Sequence, residues 1–238
     1  MEKRIGLVIP SLNVVVEDDL RRYAPRDVGY HITRVRLRKT NGRVTQEALL
    51  EAGKEAIELS TLLSDAPLDA ISLNCTGASL ADGPAGAAKL RDDIAAATKV
   101  RSNTTIFSVI GALKASGVKR IVHVCPFTAE FGADEAKFLR ASGFDVVSST
   151  GLNFTDARVA AKMTPEEIFD IALRVDHPDA DGIFLACANV RAMEATEALQ
   201  QRLGKPVITS NQAVLWDLLQ MAGHPDAAKF ISRAPAMA

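Results

Sequence analysis

The chain is 238 residues long, 47% hydrophobic and 24% charged, with a formal net charge of −1. This is the usage of a folded globular protein, long enough to bury a core without disulfide or metal staples, and it excludes a disordered chain. The mixed charge offers no basic face for nucleic acid and no acidic tail, and no apolar run approaches the ~20 residues of a membrane span.

In chain order, MEKRIGLVIPSLN enters a strand at 4–9 directly after its charges, without a secretory cleavage pattern, and so predicts a cytoplasmic protein. Further strands are predicted at 30–37, 69–75 and 97–101. The basic run RVRLRK (34–39) reads as a strand with one solvated face rather than an anion-binding patch. Residues 45–64 form an amphipathic helix with Leu49, Ala52, Ala56, Leu59 and Leu63 on one stripe, and a second helix covers 84–96. Strands follow at 120–125, 144–149, 181–187 and 206–209, with helices near 130–142, 165–174, 191–203 and 211–222. Thr164-Pro165-Glu166-Glu167 supplies a cap, a first-turn proline and first-turn acids to the helix at 165. Such alternation predicts parallel sheets with helices on their faces.

The pattern repeats. RIGLVIP (4–10) returns as RIVHVCP (120–126), DAISLNC (69–75) as DGIFLAC (181–187), and RSN (101–103) as TSN (209–211). Matches in the same order with slowly drifting offsets are what a duplication with small loop changes leaves. The expected fold is α/β: two pseudo-symmetric halves, each a parallel sheet flanked by helices, with a cleft between them. The first half is 1–104 plus 210–238 and the second is 105–209, the last helix returning to the first half.

Ligands of open parallel sheets bind beyond the carboxyl ends of the strands. Cys75 and Cys187 fall there at equivalent places, and the duplication puts them on opposite walls of one cleft, which makes them the catalytic candidates. A helix start and free backbone N–H groups after each cysteine are expected to favour thiolate. The small residues Thr76 and Gly77 after one, and Ala188 and Asn189 after the other, let N–H groups approach a carboxylate. Cys125, inside a strand, reads as structural, as does His123; His177 and His224 read as solvated loop histidines. In PSLN, Ser11 and Asn13 are turn residues or substrate contacts, and Ser210 and Asn211 are helix caps or ligand contacts. Three cysteines without C-x-x-C indicate neither a disulfide framework nor zinc, and no nucleotide-binding or hydrolase-nucleophile motif occurs. Any chemistry is expected to need no cofactor.

PSLN after the first strand, a cysteine ending DAISLNC, a second in LACANVRAMEA, and PVITSNQAVLWDLL together resemble the aspartate/glutamate racemase superfamily. Within it, they are most similar to the branch of maleate cis–trans isomerase, arylmalonate decarboxylase and the ectoine-utilisation protein EutA. The resemblance implies a cofactor-free isomerase of a small carboxylate, with Cys75 the nucleophile or first base, Cys187 the acid or second base, and Asn13 holding a carboxylate. A two-base amino-acid racemase is the alternative; a decarboxylase, which keeps only the second cysteine, and a non-catalytic binding protein rank lower. The branch implies a homo-oligomer, a dimer or tetramer. Where isomerases of the branch carry tyrosine after the second half's first strand, this chain has Phe127, followed by Thr128. Where they carry asparagine, it has Ala157, with Asn153 nearby as a substitute. Both departures imply a substrate with one carboxylate replaced by a less polar or differently shaped group.

Overall fold

A computed structural model describes residues 2–39 and 44–231. The first part of the chain runs β1 (Lys3–Pro10), α1 (Val16–Tyr23), β2 (Val28–Val35), α2 (Gln46–Ser64), β3 (Ala70–Leu73), α3 (Thr76–Leu80), α4 (Gly83–Thr98), β4 (Ser102–Thr104) and α5 (Thr105–Ala115). The same succession of strands then returns as β5 (Arg120–Cys125), α6 (Ala129–Ala141), β6 (Asp145–Gly151), α7 (Ala157–Ala160), α8 (Pro165–Val175), β7 (Gly182–Leu185), α9 (Met193–Leu203), β8 (Val207–Thr209) and α10 (Ser210–Ala222).

The strands form two parallel sheets, ordered β2-β1-β3-β4 and β6-β5-β7-β8. Replacing each strand by the one four places later turns one order into the other, so the two halves are pseudo-symmetric. The central strands β3 and β7 are buried along their whole length, which is why AISL and GIFL carry no charged residue and are apolar apart from the small Ser72. α5 shares an apolar cluster with Phe138, Val146, Phe184 and Ile208 of the second sheet's layer. α10 shares one with Ile5, Leu7, Ile9 and Val28 of the first. Each of these helices thus covers the sheet it does not directly follow. They also meet each other at Gly111, where a Cβ would lie 3.1 Å from the Trp216 ring.

Several local expectations are corrected. Residues 97 and 98 belong to α4, and the strand is the short segment 102–104; Lys99 turns the chain with a φ of 59°, and the apolar signal of Val100 lies in that turn. The strand predicted through the basic run ends at Val35, after which 36–39 has no regular structure. α5 escapes a periodicity search because it is apolar on most sides, as a helix wedged between two layers must be. His224 is buried rather than solvated: its Nδ1 accepts from the Asp226 N–H at 3.2 Å and its Nε2 lies 3.3 Å from Asp27.

Candidate active site

The carboxyl ends of β1, β3, β5 and β7 converge on one cavity of about 140 Å³, the scale that admits a benzene-sized molecule. Asn13 follows β1, Cys75, Thr76 and Gly77 follow β3, Phe127 and Thr128 follow β5, and Cys187, Ala188 and Asn189 follow β7; all line it. Equivalent ends of two equivalent strands thus bring both candidate cysteines to the same space.

Cys75 directly precedes α3, and the backbone N–H groups of Gly77 and Ala78 hydrogen-bond to its sulfur. Gly77 is packed so closely that a Cβ would sit 3.0 Å from Leu49 Cδ2 and 3.1 Å from Phe131 Cζ. Cys187 has a φ of 90°, in a region L-residues rarely adopt. That strain is held by two contacts: its own N–H donates to Ser210 Oγ at 3.0 Å, and Asn189 N–H donates to its Sγ at 3.4 Å. Two backbone N–H groups therefore meet the Cys75 sulfur and one meets the Cys187 sulfur; the helix start expected after each cysteine is found at α3 only, because α9 begins six residues after Cys187, at Met193. The effect of these N–H groups on acidity is nevertheless overridden. Burial pushes Cys75 up to about 11 and Cys187 up to about 12, so both resting thiols are protonated at neutral pH. Cys125 also lines the cavity, where burial, reinforced by the Glu135 carboxyl, raises its pKa still further.

A layer of amides and hydroxyls fixes these turns from behind. Asn13 Oδ1 accepts from the N–H groups of Val15 and Val16 at 2.9 and 3.0 Å, capping α1, while its Nδ2 donates to Ala188 O at 2.9 Å. Asn211 Nδ2 donates to the same carbonyl at 3.1 Å and to Asp19 Oδ2 at 2.7 Å, and its Oδ1 accepts from Asn74 Nδ2 at 3.2 Å. Burial carries the Asp19 carboxyl up to about 7 despite the Asn211 hydrogen bond. Asn189 ties the β7 end to two neighbours, accepting from Val14 N–H at 2.9 Å and donating to Ala157 O at 3.0 Å.

Ser210 and Asn211 accordingly stand behind the cavity and do not line it. Ser11 faces a separate open groove with Glu17 and Arg34. Asn153, in a left-handed turn with φ 61°, donates its N–H to Phe127 O at 2.9 Å and does not line the cavity, so it does not replace an asparagine at Ala157, which does. Thr128 caps α6. The β5–α6 turn lies so close to β6 that a Cβ on Gly151 would meet the Thr128 backbone at 2.8 Å.

The sequence reading missed most of the apolar wall: Leu37, Val44, Leu49, Phe131 and Phe154. It also missed Glu135 and the placement of Cys125. One signal for Glu135 was present: it lies on the stripe of α6 that carries Phe131, Phe138 and Leu139, an acid on an apolar helix face. Among the described residues no cluster of His, Cys, Asp and Glu suits a metal ion.

The family model described as arylmalonate decarboxylase matches residues 5–234. Maleate isomerase of Geobacillus stearothermophilus is 25% identical over 231 residues, covering 91% of this chain and 90% of the relative. Arylmalonate decarboxylase of Bordetella bronchiseptica is 26% identical over 221 residues, covering 92% and 90%. In fold, the chain is similar to a cysteine-to-serine variant of Nocardia farcinica maleate cis–trans isomerase with a covalently bound succinylcysteine intermediate. The TM-score is 0.86 at 22% identity, covering 94% of each chain.

Proposed function

We propose, from the premise that this chain belongs to the arylmalonate decarboxylase family, that it is a cofactor-independent cysteine isomerase of a small unsaturated carboxylate, with maleate-type cis–trans chemistry. The observation that carries this reading is the presence of Cys75 and Cys187, from equivalent strand ends, in one cavity. A decarboxylase of the family's kind needs the second cysteine alone, and the presence of both favours isomerisation.

The active state holds one negative charge over the two sulfurs. Cys75 thiolate adds to one alkene carbon, the C–S bond forms as the π bond breaks, and the electron pair moves toward the adjacent carboxylate. The Cys187 thiol gives its proton to the neighbouring carbon and becomes thiolate. The carbon–carbon bond is now single and rotates. Cys187 thiolate takes a proton back, the C–S bond breaks, and the trans alkene leaves with Cys75 thiolate restored. Backbone N–H groups after the cysteines stabilise the charge that develops on the carboxylate; loss of one such donor typically costs about 3 kcal/mol of barrier. The succinylcysteine seen in the Nocardia farcinica relative is an adduct of this kind.

The test is an NMR time course with maleate in D₂O, using the unmodified protein and its Cys75→Ser and Cys187→Ser variants. Conversion to fumarate that depends on both cysteines supports the reading, and turnover unchanged by either substitution refutes it. The second reading, two-base racemisation, is favoured by the same pair of sulfurs. It requires deuterium to enter the α-carbon of an added amino acid.

A further inference from the structure

One charged-type side chain lines the cavity among the described residues, and it is an acid. Glu135 is 1% exposed, and no lysine, arginine or histidine side chain among the described residues lines the same space. A site for a dicarboxylate would be expected to meet its second carboxylate with a cation or a cluster of donors. Here the opposite group is present.

Glu135 has two buried partners, the His123 imidazole and the Cys125 thiol. Its Oε2 lies 3.0 Å from His123 Nε2, and His123 Nδ1 lies 3.0 Å from Ser149 Oγ. Ser149 Oγ also lies 3.4 Å from Gly132 O, so both ring nitrogens of His123 have a buried partner that fixes the imidazole against Glu135. His123 stacks on Phe184 with ring centroids 5.5 Å apart, which fixes the imidazole plane. Beyond His123 and the Cys125 thiol, no donor among the described residues is paired with the Glu135 carboxylate, which keeps acceptor capacity toward the cavity.

We propose that Glu135, held by His123, is a specificity-determining residue of the cavity, and that it selects a cis-alkene monocarboxylate whose other end is an uncharged hydrogen-bond donor, a carboxamide, over a dicarboxylate. The inference rests on the isomerase reading and names its substrate class. One carboxylate meets the backbone N–H groups beside the cysteines. A carboxamide at the other end has the shape of a carboxylate, carries N–H donors for the Glu135 carboxylate, and brings no charge. A second carboxylate has no donor to offer and sets an anion against a dry acceptor. An ammonium would bring a full, strongly hydrated charge into a cavity walled by Leu37, Val44, Leu49, Phe131 and Phe154.

Two measurements test this. Turnover of maleate and of its half-amide is followed by NMR for the unmodified protein and for Glu135→Gln. Binding of succinate, its half-amide and aspartate, none of which holds the reacting double bond, is measured by calorimetry on the same two proteins. The expected result is a preference of at least about tenfold for the half-amide in both measurements, falling toward unity in Glu135→Gln, which keeps the shape and removes the charge. Equal or better handling of the dicarboxylate by the unmodified protein, tighter binding of aspartate, a preference unchanged in the variant, or binding of none of the three overturns the proposal. Absence of turnover with the binding preference intact sinks the isomerase reading and leaves the selectivity of Glu135 standing.

Discussion

The hydroxyl oxygens of Thr76 and Ser210 lie 3.1 Å apart, and the same Ser210 oxygen accepts the Cys187 N–H at 3.0 Å. One buried serine at the start of α10 therefore joins the turn after the first cysteine to the backbone of the second. The contact bridges the two halves at the point where the reacting groups must keep their spacing.

Ser210→Ala leaves the Cys187 N–H without its partner and frees a strained φ to relax. We expect a loss of about 1–3 kcal/mol of stability, read from urea unfolding, and a fall in kcat of about tenfold or more with a smaller change in KM. An unchanged kcat shows that the bridge does not set the cysteine geometry.

Cys75→Ser and Cys187→Ser should each reduce turnover by about a thousandfold or more. The two should differ in what accumulates. With water supplying the proton that completes the adduct and no Cys187 thiolate to remove it again, adduct on Cys75 should build up in Cys187→Ser and be visible by intact mass; Cys75→Ser should show none. Adduct on Cys187 in Cys75→Ser would reverse the roles.

The pH dependence follows from burial. Thiolate is the reactive form, and with Cys75 raised to about 11, only about one molecule in ten thousand holds it at pH 7. Alkylation of Cys75 by iodoacetamide in the free protein should rise about tenfold per pH unit from 7 to 10 without levelling. A plateau near pH 8.5 contradicts burial as the dominant influence on the thiol.

Asp19 gives the opposite slope, in stability. Its carboxyl is raised to about 7 by burial, so the folded state binds more protons than the unfolded one between about pH 4 and 7. Its contribution is full below the unfolded pKa and is lost as pH rises through 7. Between pH 5 and 8, Asp19→Asn should gain on the unmodified protein by up to about 3 kcal/mol, measured by denaturant unfolding at both pH values. Parallel stability curves would show that Asp19 ionises as it does in the unfolded chain.

The strand–helix alternation, the duplication and the strand-end position of both cysteines were legible in the sequence, because each is written in local periodicity or repeated register. DAISLNC and DGIFLAC occupy equivalent places in equivalent sheets, and Thr164 caps α8 with the capping box its spacing announces. The tertiary structure decided what the site does with those residues. Leu37, Val44 and Leu49 meet Phe127 and Phe154 only because the two halves close on each other. Ser210 and Asn211 serve the turns from behind, and Glu135 becomes a cavity group through His123, twelve positions away in sequence. The acidity of the thiols belongs to the same class. Local sequence supplies the N–H donors that lower it, whereas the burial that outweighs them is a property of the packed chain, summed over atoms that the sequence places far apart.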